Sequence, residues 1–167
     1  MTTCCQVGAE SVAERRMIKL PGHQLVTDLV LETLKFHAAL QVVGADIAGD
    51  VGVTQPQWGV LAAVARAGQA LTVPEISSEL RLTRQGVQKQ VDVMVREGLL
   101  LREKNAAHAR SPRFALSPQG RRLNLRAMHR WGRVASRLAR PHSLAALREG
   151  GMLVRALVAG LDAEARR

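Results

Sequence analysis

The chain has 167 residues, 47% of them hydrophobic but with only two Phe, two Trp and no Tyr, which is long enough for one domain with a real core packed by Leu, Val and Ala. No apolar run approaches the roughly 18 residues of a membrane span, so no membrane-spanning helix is expected. The formal charge of +10 is concentrated: residues 81–140 hold fifteen Lys or Arg against three acids, a local net of +12, and the remainder is −2. So local a field points to a polyanion, with RNA or an acidic membrane surface left open by charge alone.

Residues 1–21 read as a flexible leader. Its neighbours Cys4 and Cys5 cannot staple a fold and read as incidental thiols, with a redox switch as the alternative. Met17, after Arg15 and Arg16, is an alternative start. The stretch lacks the charged, apolar and cleavage-site order of a secretory signal, and a cytoplasmic protein is expected. From Gly22 to about Gly49, Leu25, Leu29, Phe36, Leu40, Val43 and Ile47 recur every three or four residues, which predicts a long amphipathic helix. Val26, Val30, Leu31, Leu34 and Val42 widen its stripe beyond what one small lobe covers, so it faces either another subunit or the rest of its own chain.

Thr54 is placed to cap a second helix with Pro56 in its first turn; Trp58, Leu61, Ala62, Val64 and Ala65 supply its inner face before Gly68 ends it. Thr72-Val73-Pro74-Glu75 is a capping box opening a third, short helix with Ile76 and Leu80 inward. Thr83, eleven residues after Thr72, caps a fourth helix that runs to about Glu97 and stops at Gly98. Helix, tight turn and helix make a helix-turn-helix. In the fourth helix Val87, Val91 and Met94 form an apolar stripe, while Arg84, Gln85, Gln88 and Lys89 project elsewhere. Arginine and lysine can chelate guanine O6 and N7, and glutamine can pair with adenine N6 and N7, so these side chains suit a DNA major groove; an ordinary solvated face is the alternative.

Residues 99–102 and 113–116 predict two strands joined by a polar turn at 105–110, a β-hairpin wing beside the fourth helix. Ser117 and Pro118 then open a helix to about Arg140, with Leu123, Leu125, Met128, Trp131, Val134 and Leu138 among many arginines that either screen phosphates or solvate a connector. After Pro141, a last helix from Ser143 carries Leu144, Leu147, Leu153, Leu157 and Leu161, with Gly150-Gly151 as a candidate interruption.

This order of elements resembles the MarR family of winged-helix transcription regulators over about Gly22 to Gly160. The residues carrying the resemblance are Gly52-Val53-Thr54-Gln55-Pro56-Gln57-Trp58, Leu71-Thr72-Val73-Pro74-Glu75-Ile76, Leu82-Thr83-Arg84-Gln85-Gly86-Val87, Glu97-Gly98-Leu99 and Leu116-Ser117-Pro118-Gln119-Gly120. The resemblance implies a homodimer held by the N- and C-terminal helices, a fourth helix in the major groove and a wing toward the minor groove. The family's wing tip carries Asp-x-Arg; here Arg110 matches the arginine, but His108 stands where the aspartate is expected. A neutral histidine would hold the arginine more weakly than a carboxylate, and a protonated one would repel it. Many relatives respond to small aromatic or phenolic ligands. Phe36, His37 and Trp58 lie on elements that could line such a pocket, but core packing is the favoured account of them.

His23, His37, His108, His129 and His142 are dispersed, with no His-Glu-x-x-His, no Cys-x-x-Cys, no Gly-rich phosphate loop and no Gly-x-Ser-x-Gly elbow, so no metal site, cofactor or catalytic centre is expected. The expected fold class is mainly α with a small β-hairpin wing, a winged helix-turn-helix flanked by dimerisation helices. Its parts are the leader 1–21, a dimerisation helix 22–51, the winged lobe 52–117, and connector and C-terminal helices 118–167. The expected function is sequence-specific regulation of transcription, as a repressor, through double-stranded DNA. Thr83, Arg84, Gln85, Gln88 and Lys89 are the helix candidates; Arg110 is the wing candidate, and Arg102, Lys104 and Arg113 supply electrostatic support. A non-specific architectural DNA- or RNA-binding protein and a protein-interaction module are the alternatives.

Overall fold

The structure, a computed structural model, describes residues 22–167 apart from Ala107 and Ala109. The cysteine pair and Met17 lie outside the described residues. Helix α1 spans His23–Val51; α2 (Gln55–Ala67), β1 (Leu71–Thr72), α3 (Val73–Leu80), α4 (Arg84–Arg96), β2 (Leu100–Glu103), β3 (Arg113–Leu116), α5 (Pro118–Ala139) and α6 (Leu144–Glu164) follow. The described residues divide into two compact units, residues 22–44 and 45–167. In the first, α1 carries exposed Leu25, Val26, Val30, Leu31, Leu34, Phe36 and Val42.

In the second unit the expected caps form. Thr54 and Thr72 each make a complete capping box, with Gln57 and Glu75 reaching back to the cap amide at 2.8 and 2.7 Å. Reciprocal bonds of this kind satisfy two amides that would otherwise lack partners at a helix start. The Glu75 carboxyl is held below its ordinary range chiefly by the Thr72 backbone N–H, then by the Thr72 hydroxyl, with Arg113 adding to the effect against the cost of burial. Helix α4 ends in a Schellman motif: Gly98 at φ 71° donates to Val95 O, and Leu99 donates to Met94 O at 2.8 Å.

Leu61, Ile76, Met94, Leu100, Val60, Val87 and Val91 form the innermost core, where α2, α3 and α4 pack on one another and α5 packs on α2. Three differences from the sequence reading stand out. The wing hairpin belongs to a three-stranded antiparallel sheet of order β1-β3-β2, with Leu71 opposite Phe114 and Leu100 opposite Leu116. A two-residue strand has no periodicity to read, which hides β1 in the sequence. Helix α6 runs unbroken through Gly150-Gly151. Ala65, expected on the inner face of α2, is exposed, while Gln57, Val60 and Ala63 are buried.

The entry to α5 is the tightest junction. Ser117 Oγ donates to Gly98 O at 2.6 Å and accepts from Gly120 N, and Ser117 N donates to Leu99 O. A Cβ on Gly120 would stand 2.1 Å from Leu99 O, whereas a Cβ on Gly132, also in α5, would meet nothing within 4 Å. The same substitution in one helix should therefore act with opposite sign. Gly120→Ala is expected to destabilise by about 1–3 kcal/mol through overpacking against backbone, and Gly132→Ala to stabilise by about 0.5–1 kcal/mol, read as denaturation midpoints.

Because the folded Glu75 carboxyl titrates below its ordinary value of 4.5, its stabilisation is complete above that value and fades as pH falls through the folded value. Glu75→Gln keeps a capping side chain but cannot titrate. Its unfolding midpoint should fall less steeply on acidification below pH 4.5 than that of the parent.

Candidate nucleic-acid interface

Helix α4 presents two faces fixed by its burial. Val87, Val91 and Met94 are at zero exposure, and at 3.6 residues per turn this leaves Gln85, Lys89, Asp92 and Arg96 within about 60° of arc on the opposite side. All four are exposed, as are Arg84 and Gln88 nearer the edge of that face. Thr83 caps the helix: its Oγ accepts from Gly86 N at 3.1 Å, which leaves the hydroxyl proton free to donate outward. The first turn carries no acid, so helix dipole and side-chain charge have the same positive sign there.

The wing joins this face. Arg84, Gln85 and Gln88 of α4 line one groove with Arg110, Ser111 and Pro112 of the wing and Val73 and Pro74 of α3; its volume is about 360 Å³. The wing's turn is tied by Asn105 Nδ2 donating to Ser111 O at 2.9 Å, and by Ser111 N donating to His108 O. His108 and Arg110 are both exposed, with no hydrogen bond joining their side chains among the described residues.

The remaining candidates separate. Arg102 and Lys104 line a concavity of about 670 Å³ on the wing, with Glu103, Asn105, Ala106 and Pro112, and lie outside the groove of α4. Lys89 lines neither cavity and stands exposed on the outer face of α4. Arg113 turns into the scaffold: Nη1 donates to Ala70 O at 2.7 Å and Nη2 lies 3.7 Å from Glu75 Oε1, which fixes β3 against the entry to α3.

Sequence reasoning did not single out three positions that hold this interface in place. Gln57, buried at the start of α2, donates through Nε2 to Glu97 Oε2 at 2.7 Å, anchoring the far end of α4. Arg81, between α3 and α4, sits in the left-handed region at φ 53°, the one non-glycine residue at positive φ among the described residues. Both its terminal nitrogens donate to the Asp162 carboxylate at 2.8 Å, so the turn is clasped to α6. That bond holds the Asp162 carboxyl below its ordinary range. Asp92, third, accepts from Gln88 Nε2 at 2.8 Å. Capping motifs announce themselves by local spacing, but these partners depend on where distant elements or rotamers meet. Among the described residues no group of His, Cys, Asp and Glu could hold a metal ion, and no helix is long and apolar enough to cross a membrane.

Comparison with known proteins places these features in a lineage. The model of the MarR family matches residues 51–111, the end of α1 through the wing. An uncharacterized protein of Mycobacterium tuberculosis, with a counterpart in Mycobacterium bovis, is 33% identical over 139 residues, covering 83% of this chain and 96% of the relative. A MarR family protein from Bacillus stearothermophilus has the same fold with a TM-score of 0.70 at 22% identity, over 86% of this chain and 99% of that one. CouR from Rhodococcus jostii RHA1, solved bound to p-coumaroyl-CoA, aligns with a TM-score of 0.71 at 15% identity, over 80% of this chain and 93% of its own. MarR regulators act by binding DNA and not by catalysis, in keeping with a basic helix and wing that share one groove. This chain belongs to the MarR family of winged-helix transcription regulators.

Proposed function

We propose that the protein is a homodimeric repressor that occupies a pseudo-palindromic operator and is released by a small ligand. The observation that carries this reading is the groove in which Arg84, Gln85 and Gln88 of α4 meet Arg110 of the wing. A helix carrying guanidinium and amide groups can read base edges in the major groove, and a neighbouring wing arginine can reach a narrow minor groove. Arg84, Gln85, Gln88 and Lys89 contact base edges or the flanking backbone, Thr83 donates to a phosphate, and Arg110 follows the minor groove. Arg102 and Lys104 attract the duplex, and Arg113 supports the wing.

A second copy is the natural cover for α6. Leu144, Leu147, Met152, Leu153, Val154, Val158 and Leu161 are exposed and no residue of α6 is buried. Burying a large apolar side chain contributes about 1.5–3 kcal/mol, so a helix with this many left in water favours association. The exposed apolar residues of α1 have the same need. Two-fold symmetry would set half-sites about one helical turn apart, roughly 34–36 Å. Occlusion of a promoter by the bound dimer is the simplest mode of action, and a duplex partner places the protein in the cytoplasm.

Ligand release is supported by two unpaired buried groups. Among the described residues Trp58 Nε1 on α2 and Asn124 Oδ1 on α5 have no hydrogen-bond partner, and a small molecule that reached either would supply the missing bond. A small aromatic or phenolic effector has suitable chemistry, and CouR was solved with an aromatic acyl thioester. Such a ligand acts through different affinities for the DNA-competent and incompetent dimers.

Gln88→Ala or Lys89→Ala should lower preference for the operator over random duplex by about 1–3 kcal/mol per lost base contact. Lys104→Ala should instead weaken both duplexes alike and reduce the slope of log affinity against log salt by about one. Equal loss on both duplexes for Gln88→Ala would defeat base readout by that residue. Leu153→Glu should yield monomers in sedimentation and lower operator affinity; a variant that stays dimeric would exclude this face of α6 from the interface.

A further inference from the structure

Asp92 is out of place on electrostatic grounds. It lies on the outer face of α4 between Lys89 and Arg96, where a bound duplex would bring its phosphates, and it is the one acid within the helix. A carboxylate there opposes association with any duplex, whatever its sequence. Two cations are in helical reach of it, Lys89 three residues before and Arg96 four after, yet among the described residues it forms no ion pair. Its partner is the amide of Gln88, whose Nε2 donates to Asp92 Oδ1 at 2.8 Å.

The chemistry of that bond fixes an orientation. An ionised carboxylate only accepts, so the Gln88 amide must turn its NH₂ toward Asp92 and cannot flip. Bonding to Asp92 uses one of the two N–H groups. The other N–H and Oε1 remain, one donor beside one acceptor. Adenine presents the complementary pair in the major groove, N7 as acceptor and the N6 amine as donor, whereas guanine presents two acceptors that this arrangement cannot satisfy.

We propose that Asp92 is the positioning residue that makes Gln88 read adenine, holding its amide in one orientation while its charge lowers affinity for every other duplex. The inference rests on the DNA-reading role proposed above for Gln88. It exchanges some overall affinity for discrimination: the cost of a carboxylate near phosphate falls on all sequences, and the paired amide offsets it only where adenine stands.

The test is selection from a pool of randomised duplexes by the full-length protein, followed by sequencing of bound and unbound fragments. Gln88→Ala first identifies the operator position that Gln88 reads, as the one whose preference disappears. Asp92→Ala, an exposed substitution that favours helix formation, should erase adenine preference at that same position by roughly 5- to 150-fold. It should also raise affinity for random duplex several-fold. Asp92→Glu, which keeps an acceptor-only carboxylate, should retain the preference. The proposal is overturned if Asp92→Ala leaves that position unchanged, or if the position reads a base other than adenine. A parent protein without any sequence preference would instead defeat the DNA-reading role of Gln88, and this inference with it.

Discussion

The interface depends on the seating of one apolar stripe. Val87, Val91 and Met94 are wholly removed from water, and turning α4 about its axis would expose all three at about 1.5–3 kcal/mol each. The roll of the helix is therefore fixed by its buried side, and the side that meets solvent follows without separate specification. Position along the axis is set at the two ends. Thr83 caps the start, and the Schellman turn at Gly98 with the Gln57–Glu97 bond holds the finish.

The wing is held by polar rather than apolar means, and its anchors share residues with those of the helices. Glu75 closes the capping box of α3 and also faces Arg113, whose other nitrogen bonds Ala70 O. Ser117 caps α5 while tying Gly98, the residue that ends α4. The close approach of Gly120 to Leu99 O brings the start of α5 onto the same junction. A groove between α4 and the wing survives because neither wall is free to move independently of α3 and α5.

Charge is divided between these two tasks. Arg66, Arg81, Arg113 and Arg130 are paired with Glu79, Asp162, Glu75 and Asp50 and brace the second unit. Exposed pairs of this kind contribute modestly to stability, so their larger effect is geometric. Arg81 illustrates it: a side-chain-bearing residue in the left-handed region carries strain, and its two-pronged bond to Asp162 secures the turn that aims α4. Arg84, Lys89, Arg102, Lys104 and Arg110 form no ion pair among the described residues and keep their charge for a partner.

The sequence by itself determined the helices, their caps, the helix-turn-helix, the wing hairpin and the outward residues of α4, because each rests on neighbours within one or two turns. Thr54, Thr72, Thr83 and Ser117 all cap where their spacing requires. Tertiary structure alone decided that β1 joins the wing, that Arg113 turns inward and that Gln57 grips Glu97. That Asp92 takes the amide four residues before it, and not a cation, is a choice of side-chain rotamer within α4. Those outcomes turn on which long side chains meet when separate elements pack, or on competition among partners equally close in sequence. No local pattern of residues encodes that choice; the folded chain makes it by which side chains it brings within bonding distance.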